Sequence, residues 1–458
     1  MDAILVNPEW IRKKGSIWKG VAGAMPPLGP AYIASYAEKH GYETAIIDMQ
    51  VEFEPYEEIL KKTGYKPRFV GISATTTTYA EAKRLAGLSR KMLPESKIVM
   101  GGVHPTFKAD EAFSNPDVDF VIRGEGEETF RLLLSGEKPG SIPGLSYKSE
   151  GVITHNPEPP LIKNLDDLPF PAYHMLKMKR YVPSLGSYKR LPSISMITSR
   201  GCPGKCTYCF GAYLGGKIRV NSPAYVIEEI KMLQKRYGIR EVSFYDDTFT
   251  AFKHNVREFC ERLIKEKIDL TWVCFARVDF IDEDMLKLMK KAGCHQLLYG
   301  VESGDQEILK SLGKTTPLEK AKEAVMMTKK AGIECRTSFM LGSPGETEEH
   351  LKKTIKFSIE LDADLAMYNV TTPFPGTKMY EQAKANGWLS HEEWDKYDFS
   401  TAVMELPGLS AETVDRYYAA AHKAFYGRPK YLLKRLLSIK SFEDIKIGFK
   451  AVKAIWGK

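Results

Sequence analysis

The sequence predicts an α/β chain built on two parallel sheets. An N-terminal doubly wound sheet comes first, then a partial barrel of six βα units, then a mostly helical C-terminal region. Three observations carry this. Short apolar runs alternate with amphipathic stretches, the pattern of parallel strands covered on both faces by helices. A proline-rich interruption divides that series in two. The 458 residues also exceed what one ordinary core accommodates.

The first strands are read at Ala3–Asn7, Thr44–Asp48, Phe69–Ser73, Lys97–Gly101 and Phe120–Gly124, with helices near Pro30–His40 and Tyr79–Met92. In such a sheet the ligand lies beyond the carboxyl ends of the strands. Those ends carry small residues and hydroxyls: Asn7-Pro8, Ser73-Ala-Thr75-Thr-Thr-Thr78, Gly101-Gly102-Val-His104-Pro-Thr106 and Arg123-Gly124-Glu125-Gly-Glu-Glu-Thr129. They let a bulky flat ligand approach the backbone and bond its polar rim. No Gly-x-Gly-x-x-Gly follows the first strand, so a nicotinamide site has no support.

From Ser141 to Leu191 the pattern breaks around Pro143, Pro157, Pro159, Pro160, Pro169 and Pro171, the composition of a linker. A second series follows at Ser193–Thr198, Glu241–Tyr245, Thr271–Ala276, Gln296–Gly300, Arg336–Leu341 and Ala366–Val370. Parallel barrels place their chemistry at the strands' carboxyl ends. There stand Asp246-Asp247, Arg277 with Asp279, Glu302-Ser-Gly304, Gly342-Ser-Pro-Gly-Glu346 and Thr371–Thr377. The expected domains are therefore residues 1–140, a linker over 141–190, a barrel over 191–385 and a C-terminal region over 386–458. That last region begins with Trp394, Tyr397 and Phe399, is helical through Ala411–Phe425, and ends in a basic and apolar stretch from Arg428 through Trp456 suited to peripheral contact with an anionic surface or to docking on its own domain.

The 43% hydrophobic and 27% charged composition is that of a globular protein with a large core. No run of eighteen apolar residues and no charged-then-apolar leader at Met1 is found, so a cytoplasmic protein is expected. The net charge of +8 favours anionic cofactors, and no basic cluster with interleaved aromatics points to nucleic acid. Four of the seven cysteines (Cys260, Cys274, Cys294 and Cys335) are dispersed and read as small buried hydrophobes. The other three form the run Cys202-Pro-Gly-Lys-Cys206-Thr-Tyr208-Cys209, just after a strand. Three thiolates this close suit an iron–sulfur cluster left open at one iron. Structural zinc wants four ligands, and no fourth Cys or His lies nearby in sequence.

The Cys-x3-Cys-x2-Cys spacing with Tyr208 before the third cysteine resembles the cluster loop of the radical S-adenosylmethionine (SAM) enzymes. The preceding domain, with Pro26-Pro-Leu-Gly-Pro-Ala-Tyr32, Gly101-Gly-Val-His-Pro105 and Arg123-Gly-Glu-Gly-Glu127, resembles the Rossmann-like cobalamin-binding domain of their cobalamin-dependent members. The resemblance implies a [4Fe-4S] cluster on Cys202, Cys206 and Cys209 within a TIM-type partial barrel. It further implies SAM near Tyr208, Phe210, Asp247, Arg277 and Glu302, and cobalamin near Ser73, Thr75, Gly101, Gly102, His104, Gly124 and Glu125. Some of these charges would equally serve as ion pairs at a barrel rim. The Asp-x-His-x-x-Gly loop of other cobalamin proteins is absent after the first strand, as is common among radical SAM members, which leaves the axial ligand of cobalt open; His104 is the only loop imidazole near the expected cofactor face, and a proline-flanked histidine is more often a turn residue than a ligand. The implied activity is C-methylation of an unactivated carbon through a 5′-deoxyadenosyl radical and methylcobalamin, with electrons from a donor such as ferredoxin or flavodoxin. The family's acceptors include small molecules, lipids and protein side chains, among them a glutamine of methyl-coenzyme M reductase. A cyclase or rearrangement enzyme is the alternative the same resemblance allows.

Overall fold

The computed structural model describes residues 1–10, 23–184, 186–212 and 217–437. The chain divides into two units: one contains the start of the chain, Ala24–Tyr181 and Glu393–Lys396, and the other Val182–Glu392 and the residues after 396.

In the first unit, strands β1 (Ala3–Asn7), β2 (Thr44–Asp48), β3 (Phe69–Ser73), β4 (Lys97–Gly101) and β5 (Phe120–Ile122) pair in parallel, and β6 (Leu145–Ser149) and β7 (Val152–His155) continue the sheet antiparallel. The spatial order is β2-β1-β3-β4-β5-β6-β7. The inner strands are apolar because both faces are covered: Ala3, Leu5, Phe69, Val99 and Ile122 share a core with Ala34 and Phe130 from flanking helices. Helices Leu28–Lys39 and Tyr79–Met92 fall where the periodicity puts them.

The stretch 141–190, expected as a linker, differs. Its first part is the β6–β7 hairpin, closed by Glu150 and Gly151, both at positive φ (51° and 82°), as a two-residue turn matching the strand twist requires. Prolines on either side hid the short strands. The rest packs on the same unit: Ala172 and Tyr173 are buried, and the Ala172 N–H donates to Ala31 O at 3.0 Å.

In the second unit, β8 (Ser193–Met196), β11 (Glu241–Phe244), β12 (Thr271–Ala276), β13 (Cys294–Glu302), β14 (Glu334–Leu341) and β15 (Leu365–Val370) form one parallel sheet in the order β15-β14-β13-β12-β11-β8. A short antiparallel pair, β9 (Ser199–Arg200) and β10 (Arg219–Val220), stands apart from it. Outward residues such as Phe244, Trp272, Tyr299, Phe339 and Tyr368 are fully buried. The free edge of β15 is covered by the helix Ala411–Tyr426: the Tyr426 hydroxyl donates to Ala366 O at 2.6 Å and accepts from its N–H at 3.3 Å. Among the described residues no helix is long and apolar enough to cross a membrane. The basic tail beyond Leu437 lies outside the described residues.

Candidate functional site

The cysteine run leaves β9 through Gly201, whose φ of +99° and close backbone approach (a Cβ there would lie 2.2 Å from Lys217 O) admit only glycine. β10 then pairs back with β9 and closes the loop at its base. All three thiols are free and half-buried. A Cβ on Gly204 would lie 3.4 Å from Cys202 Sγ and 3.7 Å from Cys206 Sγ, and one on Gly211 3.6 Å from Cys209 Sγ and 3.9 Å from Cys202 Sγ. The sulfurs thus face a cradle that two glycines keep open. The Gly204 and Gly211 N–H groups donate to Cys202 and Cys209 Sγ at 3.4 Å each, and Thr248 Oγ1 is 3.4 Å from Cys202 Sγ.

These groups fit the implied cluster. Among the described residues no trio of Cys, His, Asp or Glu is disposed to hold a single metal ion. Three sulfurs spread around a cradle suit several irons better than one zinc. Burial is the main cause that pushes the Cys209 thiol up to about 11, with neighbouring Asp247 and Cys206 adding to it. Cationic iron offsets such a penalty by taking the thiolate as a ligand.

The sequence-derived SAM candidates gather around this loop, though not all free to meet a ligand. Tyr208 packs against Ile308, Leu312 and Met379. Its phenol is pushed well upward by burial first, then by Glu302 and Cys206. Phe210 opens a short 3-10 turn beside Gly211. Arg277 reaches the loop, with Nη1 3.1 Å from the Gly204 Cβ position, but its fork already holds Asp279 (Nε–Oδ1 3.0 Å, Nη2–Oδ2 2.8 Å). Asp247 is exposed, and the walls beside it still push its carboxyl upward through desolvation. Glu302 sits at the end of β13 with φ +74° beside a register shift, and its Oε1 meets Lys314 Nζ at 3.1 Å. Both members of that pair are about nine-tenths covered, with side-chain exposures of 11% and 8%. Left-handed backbone at a non-glycine residue is strain of the kind concentrated at functional sites.

Three further groups were not singled out individually from sequence. Lys314 follows a short helix with no motif to mark it. Asp246, rather than its neighbour, is the buried member of the acidic pair. It accepts from Thr198 N at 2.9 Å, from Thr198 Oγ1 at 3.0 Å and from Ser199 Oγ, tying the end of β11 to the strand that launches the cysteine loop, and burial pushes it up to about 6. Glu346 folds its own loop back: Oε2 accepts from the N–H groups of Gly342 and Ser343 at 2.7 Å each.

Burial pushes Glu346 up to about 7 from 4.5. Because the folded value is raised, its stabilising contribution is present below pH 4.5 and is lost as pH rises through 7. Glu346→Gln keeps an acceptor for both N–H groups and is expected to remove that slope, a difference of about 3 kcal/mol by pH 8 in denaturant unfolding followed against pH.

The cobalamin candidates form a second set, in the first unit. Thr75, Gly102 and Gly124 are exposed at the strand ends, with Ser73 and Gly101 half-buried behind them. Gly102 has φ +101°, and a Cβ there would lie 2.6 Å from Ala74 O, so these adjacent strand ends press backbone to backbone. Such a smooth ledge fits a flat macrocycle. Glu125 instead accepts from the Ile162 N–H at 3.0 Å and anchors the segment after the hairpin.

His104 is the principal correction. Gly102 starts the helix Val103–Phe107, which turns the imidazole inward, with Nδ1 3.2 Å from Thr76 Oγ1. Tyr79 and Trp394 cover the ring at centroid distances of 4.1 and 5.2 Å, and its side chain is 0% exposed. Burial, helped by Lys108 and Lys83, lowers it to about 3. A ring so covered is not presented to cobalt. Trp394 is itself held by Glu111 Oε1 at 2.6 Å. Trp394→Ala is therefore expected to release Glu393–Lys396 and return the His104 pKa towards 6.5, as followed by hydrogen exchange and imidazole NMR titration, with a loss of about 3–5 kcal/mol.

Two domain families match the chain: the Radical SAM superfamily over residues 196–358 and the B12 binding domain over residues 18–134. An uncharacterized methyltransferase of Pyrococcus horikoshii, PH0819, is 36% identical, with 96% of this chain and 96% of that protein covered. The anaerobic magnesium-protoporphyrin IX monomethyl ester cyclase of Rubrivivax gelatinosus is 28% identical over 89% of this chain and 75% of its own length. Among solved structures, the radical SAM methyltransferase TsrM of Kitasatospora setae, with cobalamin and a [4Fe-4S] cluster bound, superposes with a TM-score of 0.72 at 16% identity, covering 99% of this chain and 100% of that one. That likeness establishes a shared fold.

Proposed function

The chain belongs to the cobalamin-dependent radical SAM methyltransferases, enzymes that use a [4Fe-4S] cluster, SAM and cobalamin, and from that premise we propose that it methylates an unactivated carbon of its acceptor. The observation that carries the reading is the cradle of Cys202, Cys206 and Cys209 at the mouth of a parallel barrel. When bound, the cluster with SAM supplies one-electron chemistry and cobalamin supplies the methyl group.

The chain's own residues divide the remaining work. Cys202, Cys206 and Cys209 ligate, and the amides of Gly204 and Gly211 stabilise negative charge on two of the sulfurs. Arg277 offers its cation to a carboxylate at the loop, held in plane by Asp279. Glu302 accepts from an ammonium or ribose hydroxyl while Lys314 limits the cost of burying its charge. Tyr208 and its apolar neighbours exclude water from one side. Ser73, Thr75, Gly101, Gly102 and Gly124 would form the cobalamin ledge, with no imidazole from His104. A ferredoxin- or flavodoxin-type donor supplies the electron.

The acceptor suggested by family resemblance is a protein side chain such as a glutamine of methyl-coenzyme M reductase, with small molecules and lipids as the other class. The test is anaerobic turnover of the reconstituted, cobalamin-loaded enzyme with methyl-deuterated SAM, reductant and either that peptide or a host-cell extract. Deoxyadenosine together with a product carrying the labelled methyl is expected. Deoxyadenosine with an altered but unlabelled product would place the enzyme with the cyclases, and the absence of both deoxyadenosine and product would overturn the reading.

A further inference from the structure

Charge is rare inside parallel barrels, and an unpaired one is costly. Arg336 is the third residue of β14, between Cys335 and Thr337, which face outward and are fully buried. By strand alternation Arg336 points into the barrel. Tyr245, three strands further round and just past the end of β11, acts electrostatically on it after Tyr426.

Its partners do not neutralise it. Nη1 donates to Gln296 Oε1 at 3.3 Å, Nη2 meets the weakly accepting Met367 sulfur at 3.0 Å, and Nε, fully covered, has no hydrogen-bond partner among the described residues. Glu334 acts on it electrostatically, and Arg336 makes no ion pair among the described residues. Burial accordingly lowers the guanidinium pKa.

The surroundings are those of a lined chamber rather than a sealed core. Phe275, Leu298, Ser338, Met367 and Asn369, all inward-facing, remain half-exposed although their outward neighbours are buried. The buried Ser243 hydroxyl has no partner. Register fixes the depth: Phe275 pairs with Leu298 and Leu298 with Arg336, while Gly300 pairs with Ser338 one inward position higher. Arg336 thus sits about 7 Å below the level of Gly300, in one layer with Leu298 and Phe275.

We propose that Arg336 recognises a carboxylate on the methyl acceptor, which enters the barrel from its mouth and seats that group against the guanidinium edge now turned to Met367. The flexible methionine can swing aside, and one planar edge with neutral hydroxyl and amide neighbours matches a monoanion. This rests on the C-methyltransferase reading for its meaning and favours an acidic acceptor over the glutamine that family resemblance suggests, but it is tested without turnover.

The probes are a matched pair, N-acetylglutamate N-methylamide and N-acetylglutamine N-methylamide, titrated calorimetrically into the cluster-loaded protein with SAM present. The wild type is expected to bind the acid at least tenfold more tightly than the amide, and Arg336→Gln to reduce that preference below twofold. Arg336→Lys should keep part of it. Arg336→Gln should also melt no lower than the wild type, because an uncompensated buried charge is removed; a merely structural arginine would lower the melting temperature. Absence of acid preference in the wild type, or its survival in Arg336→Gln, would overturn the proposal, as would tighter binding of the corresponding phosphonate. Presenting the same acid free or within a decapeptide separates a small-molecule source from a polypeptide one. If methyl transfer is never observed while the acid preference holds, the function above fails and the anion site stands.

Discussion

Alanine at any one of Cys202, Cys206 or Cys209 is expected to abolish reductive SAM cleavage, with deoxyadenosine formation falling by at least about three orders of magnitude, or ~4 kcal/mol of transition-state stabilisation. The physical basis is the cradle. Gly204 and Gly211 keep space between the sulfurs, and two of the three accept a backbone N–H. With one sulfur gone the remaining pair cannot hold a cluster at three irons. Anaerobic reconstitution followed by iron and sulfide analysis, visible absorbance and deoxyadenosine assay checks it. Cys260→Ala is the control: that thiol is fully buried and pushed up to about 12, so its loss leaves a small cavity and an intact cluster. A variant of the triad that retained full iron and activity would remove the basis for the assignment.

Lys314→Met is expected to give the second large effect, a loss of about 3–5 kcal/mol of stability, because it leaves the Glu302 carboxylate covered and uncompensated. The cost is concentrated there since Glu302 already occupies a left-handed backbone position, and a Cβ at Gly300 would lie only 2.3 Å from its Oε1. The double variant Glu302→Gln with Lys314→Met should recover most of the stability but not SAM cleavage. Denaturant unfolding of the three variants beside deoxyadenosine assays separates the two roles. Recovery of both in the double variant would make the pair purely structural.

Much of the fold was legible because it depends on local pattern. The eleven parallel strands described fall on the short stretches read as strands from the sequence, and the helix Tyr79–Met92 ends where its periodicity ends. The β6–β7 hairpin was not, since its turn is Glu150-Gly151 rather than Asn-Gly and its strands are four or five residues long among prolines. At the site, the cysteine spacing was legible because three ligands within eight residues need no folding to be seen together. Arg336 was visible only as a charge at the start of an expected strand, and its lack of an ion pair cannot be read from order alone. Lys314 carried none.

By itself the sequence determined the two parallel sheets, the chemistry of the cysteine loop and the family to which both belong, because strand periodicity and short-range ligand spacing are properties of neighbouring residues. Only the tertiary structure decided which charges are paired with one another and which are not. It paired Glu302 with Lys314 and Arg277 with Asp279, turned His104 away under Trp394, and left Arg336 without a counter-ion among the described residues. Ion pairing and burial join residues distant along the chain, and a side chain's availability is set by what folding brings against it.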